Sequence, residues 1–210
     1  MKSIAVFGAS GRTGIELINQ AIKNEFSVRA FCRDKSSITL SHEKINIIQG
    51  DVLKLNDVKP SVEKVDCVIV ALATNPPYKD VFCYEGTKNI IKSMYDCNVK
   101  RLICITGAMI GDYPEILSGF MKKLKQRFNK KYPLIALDRL KQEMVVKASG
   151  LEWTLIKPPR LTNGSLSKFS RQESMNITGL SSISRKTIAS LIIDIIDDKS
   201  SFQKALFVKK

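Results

Sequence analysis

Three glycines spaced three residues apart follow the first apolar run of the sequence. They are Gly8, Gly11 and Gly14, within the segment IAVFGASGRTG. Glycine tolerates positive φ and lets a ligand approach the backbone closely. Where such a loop joins a strand to a helix, the unpaired N–H groups and the positive end of the helix dipole attract phosphate. The spacing therefore predicts a phosphate-binding loop, the alternative being a plain tight turn.

Side chains between these glycines can donate further hydrogen bonds to a phosphate. They are Ser10, Arg12 and Thr13. The pattern G-x-x-G-x-x-G differs from the G-x-G-x-x-G of many dehydrogenases and from the G-x-x-x-x-G-K-[ST] loop of ATPases. Its position, after an N-terminal strand and before a helix, is the context that dinucleotide binding requires. We therefore expect a dinucleotide cofactor at this loop.

The end of the second apolar run indicates which dinucleotide is bound. An NAD site has an Asp or Glu about twenty residues beyond the glycines. This sequence instead places Arg33 there, with Lys35 and Ser36 close behind as further donors. A guanidinium has the planar fork that suits a 2′-phosphate. We therefore predict NADP(H), with Asp34 turned to solvent or paired with Arg33; the alternative is that Arg33 is an ordinary surface charge.

The segment QGDV ends the third apolar run and is a candidate for the adenine end of the cofactor. Asp51 can accept a hydrogen bond from the adenine amino group, and Val52 can pack on the ring. The alternative is that Asp51 simply caps the following helix.

Short runs rich in Val and Ile alternate with segments of helical periodicity. Runs that are apolar on both faces are typical of buried parallel strands, and they occupy residues 4–7, 28–32, 45–48, 67–72, 102–106 and 153–156. Apolar residues at helical spacing lie between them and near the C-terminus, including Ile15, Ile18, Ile22, Ile90, Ile91, Met94, Leu140, Met144, Val145, Ala148, Ile188, Leu191, Ile192 and Ile195. This alternation predicts a Rossmann-type, doubly wound parallel sheet in one domain over residues 1–210.

The ligand crevice of such a sheet lies beyond the carboxyl ends of its strands. The residues that follow the fourth, fifth and sixth strands are therefore candidate walls of the cofactor site, namely Leu72, Ala73, Thr74, Thr106, Pro158 and Pro159. Two consecutive prolines end a central strand, with or without a role in binding. Arg160 is a candidate for a substrate carboxylate or phosphate, or it contacts a surface acid. Residues 158–182 form the longest irregular segment, a substrate-side loop.

Much of the net charge of +14 is concentrated in one segment of the sequence. The segment MKKLKQRFNKKYP, residues 121–133, has six Lys or Arg and no acid. Leu124 and Phe128 lie four residues apart, which favours an amphipathic helix with a solvated basic face. The alternatives are a lid over an anionic ligand and a nucleic-acid patch at 122–131. We do not expect nucleic acid as a partner, because no signature of a nucleic-acid-binding fold is present.

The five cysteines, Cys32, Cys67, Cys83, Cys97 and Cys104, stand apart from one another and from the single His42. They form no pattern typical of a metal site, so we expect no metal and read them as buried thiols in a reducing compartment. Neither a signal peptide nor a run of eighteen apolar residues is present. The sequence thus predicts a soluble cytoplasmic protein without membrane contact, and leaves its oligomeric state open.

Six segments resemble, in the same order, blocks of the atypical short-chain dehydrogenase/reductases that have a single NAD(P)H-binding domain. They are FGASGRTG, RDKSS, GDVLKLNDV, YEGTKNIIKSM, KASGLEWTLIKPPRLTNG and ISRKTIASLI. The resemblance is to the biliverdin reductase- and flavin reductase-like members, with NmrA-like nucleotide sensors as more distant relatives. It implies NADPH at the carboxyl edge of the sheet and hydride transfer to a flavin, quinone or linear tetrapyrrole. Residues 118–135 match poorly and look like an insertion.

The resemblance does not extend to the usual catalytic residues. A Tyr-x-x-x-Lys pair occurs only at Tyr84 and Lys88, which precede the fifth strand and match the wrong helix. On the expected helix, Ile135 and Arg139 occupy the equivalent positions, and Gly107 stands where an active-site hydroxyl is usual. We therefore assign no catalytic acid or base. The alternative to a reductase is a non-catalytic NADP(H)-binding sensor of the NmrA-like type.

Overall fold

A mostly parallel sheet runs through the middle of the chain. The structure is a computed structural model that describes residues 1–74, 78, 80–111, 113 and 117–210. Within these residues the sheet has eight strands in the order β3-β2-β1-β4-β5-β6-β10-β8. Its strands are β1 Ser3–Phe7, β2 Ser27–Cys32, β3 Ile45–Gln49, β4 Cys67–Val70, β5 Arg101–Ile105, β6 Glu152–Lys157, β8 Ser170–Gln172 and β10 Lys204–Lys209. Only β8 pairs antiparallel to its neighbour.

Helices cover both faces of this sheet. They are α1 Arg12–Lys23, α2 Leu55–Val62, α3 Cys83–Asp96, α4 Gly119–Lys131, α5 Pro133–Ala148 and α6 Arg185–Asp194. Helices α1 and α6 pack together over one apolar cluster, whereas α2, α3 and α5 pack over a second cluster on the opposite face. The predicted doubly wound Rossmann arrangement is confirmed.

The central strands are apolar because both of their faces are covered. All five residues of β5 and all four of β4 are buried, whereas β3, at the edge of the sheet, is only partly buried. Trp153 in β6 is 8% exposed and packs in the core. Four of the cysteines are buried, and Cys97 is partly exposed.

The first strand marks the point at which the strand order reverses. It pairs with β2 on one side, Ile4 opposite Val28, and with β4 on the other, Ile4 opposite Cys67. In sheets of this kind the crevice for ligands opens at such a reversal, beyond the carboxyl ends of the strands. The glycine loop follows β1 directly and therefore lies at this crevice.

The structure differs from the predicted elements at several places. Strands β4 and β5 end one or two residues earlier than expected, at Val70 and Ile105. The segment 158–182 is not wholly irregular, because β7 (Arg160–Thr162) pairs with β9 (Ser182–Ser184) and β8 joins the main sheet. The strand β10 was not predicted. A single short apolar run near a terminus has no periodicity that separates it from a turn.

A buried arginine ties the C-terminal elements to the sheet. The Arg101 guanidinium, 4% exposed, donates to the carbonyls of Ile195 and Ile196 at the end of α6, each at 2.9 Å. It also donates to the Thr154 hydroxyl at 2.8 Å and lies 4.5 Å from the Phe202 ring. The positive charge thereby faces the negative end of the α6 dipole.

Among the described residues, no helix combines the length and the apolar character needed to cross a membrane.

Candidate cofactor and substrate site

The first and third glycines of the loop after β1 are sterically required. Gly8 has φ of +83°, and a Cβ on it would lie 2.7 Å from the Ala71 carbonyl oxygen. A Cβ on Gly14 would lie 2.2 Å from the Gly8 carbonyl oxygen. These two positions let the turn close tightly against β4 and against the start of α1.

The middle glycine of the loop is different. Gly11 is exposed, has an ordinary φ of −71°, and a Cβ on it would meet only the Gly8 carbonyl oxygen, at 3.2 Å. It is the N-cap of α1, and no side chain caps the helix. The first N–H groups of a helix have no partner within it, so an uncapped start offers donors to an anion. Ser10 and Arg12 are exposed beside it and Thr13 is partly exposed.

The end of β2 presents Arg33 to solvent. Its guanidinium lies 6.0 Å from the centre of the Phe82 ring. Asp34 accepts hydrogen bonds from the Ser36 hydroxyl at 2.7 Å and from the Ser36 N–H at 2.9 Å. These bonds lower the pKa of Asp34. Asp34 is thus exposed and bonded to Ser36 rather than paired with Arg33, and the Ser36 hydroxyl would have to turn before it could serve a phosphate.

The candidate adenine residues follow β3. Asp51 accepts a hydrogen bond from the Leu53 N–H at 3.0 Å and does not cap α2, whose N-cap is Lys54. Val52 is 5% exposed, and its methyl groups pack against Gly86 of α3. The side chain of Val52 therefore belongs mainly to the core, and only its edge is open to a ring.

A cavity of about 500 Å³ lies beyond the carboxyl ends of β4, β5 and β6, under helices α4 and α5. Its lining includes six of the residues predicted from the sequence, namely Ala73, Thr74, Thr106, Pro158, Pro159 and Arg160. Leu72, also predicted, is 7% exposed and packs in the core behind them. The structure thus brings the predicted wall residues to one space.

Arg139 of α5 fixes the floor of this cavity. Its side chain is 7% exposed and donates to the carbonyl of Leu72 at 2.7 Å and to those of Ile105 and Thr106 at 3.1 and 2.9 Å. These bonds hold the ends of β4 and β5 at a fixed separation. The hydroxyl of Thr106 is buried and has no hydrogen-bond partner among the described residues.

The positions that resemble the usual catalytic ones carry no acid or base. Ile135 lines the cavity beside Arg139. Gly107 has φ of +154°, a conformation that side chains rarely adopt, although a Cβ would meet no close neighbour there. Tyr84 and Lys88 do not line the cavity, and Lys88 pairs with Glu85 at 2.9 Å on α3. Their Tyr-x-x-x-Lys spacing therefore lies outside this cavity.

Helix α4 forms the outer wall of the cavity. The sequence predicts an apolar stripe under a solvated basic face, and most of the basic side chains of α4 are exposed. The stripe faces the cavity, which Phe120, Leu124 and Phe128 line, and Phe120 is 66% exposed. The Phe128 ring lies 5.3 Å from Tyr132. An amphipathic pattern predicts the helix but does not say what lies under its apolar face.

A buried polar cluster behind the cavity was not foreseen. The Lys157 ammonium, fully buried, lies 2.6 Å from a Glu143 carboxylate oxygen and donates to the Ile110 carbonyl at 2.8 Å. Tyr113 donates to the other oxygen of Glu143 at 2.9 Å and accepts from Lys147. The four-residue spacing of Glu143 and Lys147 indicates an ion pair along one helix. Nothing in the sequence indicates that Lys157 is the second partner of Glu143.

Burial and charge shift the pKa values in this cluster. Burial lowers the pKa of Lys157 to about 8, although Glu143 opposes the shift. Burial acts to raise the pKa of Glu143, but the two lysines outweigh it and lower that pKa. The pair is therefore ionised near neutral pH. Through Ile110 it holds the loop after β5 that forms part of the cavity.

The comparisons with known proteins agree with this geometry. An uncharacterized chloroplastic protein of Arabidopsis thaliana is 24% identical over 96% of this chain and 75% of its own. A Rossmann-fold NAD(P)-binding family protein from Shigella flexneri is 25% identical over 99% of this chain and 93% of its own, with a TM-score of 0.75. ChuY, an anaerobilin reductase from Escherichia coli O157:H7, is 17% identical over 99% and 96%, with a TM-score of 0.81, which shows a shared fold.

Residues 8–199 match the model of a family described as NAD(P)H-binding. The match begins at the first glycine of the loop and runs through α6, so it covers the crevice and the cavity together. The chain therefore belongs to the NAD(P)H-binding family.

Proposed function

We propose that this protein is an NADPH-dependent reductase of the atypical short-chain dehydrogenase/reductase type, acting on a small conjugated acceptor such as a flavin, a quinone or a biliverdin-like tetrapyrrole. The observation that carries the proposal is that two features share the carboxyl end of one parallel sheet. An uncapped glycine loop follows β1, and a mostly apolar cavity lies at the ends of β4, which pairs with β1, and of β5 and β6.

The residues present fit NADPH along this crevice. The loop from Gly8 to Gly14 would hold the pyrophosphate, and Arg33 with Lys35 would select the 2′-phosphate. Asp51 and the edge of Val52 would meet the adenine, while Thr74, Thr106 and Pro158 would flank the nicotinamide. When bound, the cofactor supplies a hydride from C4 of the nicotinamide ring.

The protein's own contribution to the reaction is orientation. A conjugated acceptor takes hydride at one atom and its proton from water, so it needs no tyrosine on α5. Helix α4 and the segment 158–182 would hold the acceptor flat against the floor that Arg139 fixes. ChuY, an anaerobilin reductase, shares this fold, and the proposal extends its kind of acceptor to this chain.

The second candidate function is a non-catalytic NADP(H) sensor. The observation in its favour is that Gly107 and Ile135 stand where a reductase of the usual type has a hydroxyl and a tyrosine. A sensor would bind the nucleotide in the same crevice and leave it unchanged.

Steady-state oxidation of NADPH separates the two candidates. The protein is mixed with NADPH and, in turn, FMN, menadione and biliverdin, and the nicotinamide absorbance band is followed. A reductase oxidises NADPH faster than the protein-free control with at least one acceptor. Saturable NADPH binding without oxidation by any of the three contradicts the reductase proposal and favours the sensor.

A further inference from the structure

The described lining of the cavity has an uneven charge. It includes three cations, Lys125, Arg139 and Arg160, and no carboxylate. None of the ion pairs formed among residues 1–74, 78, 80–111, 113 and 117–210 involves any of the three. The described part of the lining is therefore electropositive, and no carboxylate of the described residues forms an ion pair with its three cations.

Two of these cations are held by neutral oxygens. Lys125 of α4 donates to the Gly111 carbonyl, and Arg139 donates to the carbonyls of the strand ends already described. Carbonyl oxygens fix the direction of a cation without cancelling its charge. Arg160 is exposed at the start of β7, at the rim of the cavity.

The rest of the lining is mainly apolar. Phe120, Leu124 and Phe128 approach from α4, and Met109 and Pro159 from the strand ends. Pockets of this size bind a ligand mostly through apolar contact and use a few polar groups to fix its orientation. Here the polar groups are neutral hydroxyl and amide side chains and three cations, so the only charge that the described lining selects is negative.

We propose that the acceptor is an anion, with a carboxylate, phosphate or sulfonate attached to a flat apolar body. This inference rests on the proposed function, since it describes the second ligand of the same site. Arg160 and Lys125 bind the anionic group, and the α4 side chains cover the apolar body. Neutral quinones are then poor ligands compared with acidic ones of the same ring system.

The test uses two matched pairs of probes and measures binding rather than turnover. FMN and riboflavin share one ring system and differ by a phosphate; 1,4-naphthoquinone-2-sulfonate and 1,4-naphthoquinone differ by a sulfonate. Each is titrated into the NADP⁺-saturated protein, by flavin fluorescence or by calorimetry. In at least one pair the anion should bind about tenfold or more tightly, an advantage that shrinks with added salt.

Three variants locate the effect. Arg160→Gln and Lys125→Gln should each reduce the anion's advantage several-fold. Lys123→Gln removes the same charge from an exposed position of α4 outside the cavity lining and should leave the advantage unchanged. Equal affinity within both pairs, binding of none of the four probes, or an equal effect of all three variants overturns the inference.

The outcomes also separate this inference from the proposed function. An anion preference in binding, with no NADPH oxidation by any acceptor, would refute the reductase and leave the anionic ligand in place. Oxidation of NADPH at equal rates with both members of each pair, with equal affinities, would keep the reductase and refute the anionic acceptor.

Discussion

At the level of single residues, we propose that Arg33 sets the preference between NADPH and NADH. It is exposed, and Asp34 bonds to Ser36 rather than to Arg33. We expect Arg33→Ala to weaken NADPH binding by about 1.5–3 kcal/mol, because a charge-assisted contact is lost. NADH has no 2′-phosphate, so its affinity should change little. Calorimetric titration of both nucleotides measures the difference, and equal losses for the two would contradict the assignment.

The Glu143–Lys157 pair makes a second prediction at this scale. Replacing one member of a buried ion pair leaves the other charge without its partner. Glu143→Gln should therefore lower the free energy of unfolding by about 3–5 kcal/mol at pH 7. Denaturant unfolding followed by circular dichroism measures the loss. The double variant Glu143→Leu with Lys157→Met should recover most of it, and a double variant no more stable than the single would be evidence against this account.

The same lysine predicts a dependence of stability on pH. Its pKa is about 8 in the folded protein and near 10.5 when unperturbed. Between these values the unfolded chain binds more protons, so this group makes the free energy of unfolding rise with pH. Unfolding curves for the wild type and Lys157→Met, measured at pH 8 and at pH 10, should show the wild type gaining relative to the variant. A relative loss would mean that the lysine is not held in this way.

At the level of elements, two glycines of the loop after β1 have different expected roles, Gly14 in folding and Gly11 in nucleotide binding. A Cβ at position 14 would lie within 2.2 Å of a backbone oxygen, so Gly14→Ala should destabilise the fold by about 1–3 kcal/mol. Gly11→Ala should cost within about 1 kcal/mol, since only the N-cap preference is lost. Its methyl group would stand where the proposed phosphate approaches, so NADPH affinity should fall about tenfold or more. Thermal unfolding and nucleotide titration of both variants test this, and normal binding by Gly11→Ala would count against a phosphate at the loop.

A further prediction concerns Arg101, which begins β5 and so lies at the amino ends of the strands, away from the crevice at their carboxyl ends. Arg101→Met would leave the carbonyls at the end of α6 without donors and should cost more than about 3 kcal/mol. Arg29 is the matched control, since it is only partly buried and donates to the carbonyls of Pro60 and Glu63. Denaturant unfolding of Arg101→Met and Arg29→Met should show the larger loss for Arg101, and comparable losses would contradict its role.

The order of helices and strands is predictable from the sequence, but the pairing of β8 and the direction of the apolar stripe on α4 are not. Buried parallel strands such as 67–70 and 101–105 are visible because both faces are apolar. In contrast, β8 is polar and exposed at every position, and it is a strand only because β10 offers an edge to pair with. The direction in which the apolar stripe of α4 faces likewise depends on tertiary packing. The local sequence pattern predicts that a helix forms, but it does not predict which element the helix packs against.

At the level of the whole molecule, the sequence predicts which loops form the candidate site, but it does not predict the shape of the cavity between them. The topology of a doubly wound sheet places Thr74, Thr106 and Pro158 at one edge, because parallel strands end on the same side. The cavity exists because α4 stands away from those ends, and its charge depends on Arg139 pointing inward from α5. Contacts of this kind between distant segments leave no periodic signal in the sequence.

The electropositive cavity also bears on the redox state of the cofactor. The oxidised nicotinamide ring carries a positive charge and the reduced ring is neutral. Three cations around the cavity should therefore favour NADPH over NADP⁺. Stabilising the reduced form makes the cofactor a weaker hydride donor, so these cations assist the reaction only by stabilising negative charge on the acceptor.

The most direct measurement follows the single tryptophan of the chain. Trp153 lies in β6, the strand that leads to Pro158 at the cavity. NADPH bound along the crevice should quench its emission by energy transfer to the nicotinamide, with saturation at one nucleotide per chain and reversal by NADP⁺. No quenching, and no heat in a parallel calorimetric titration, with either NADPH or NADH up to millimolar concentration would contradict nucleotide binding at this loop and every role proposed for it.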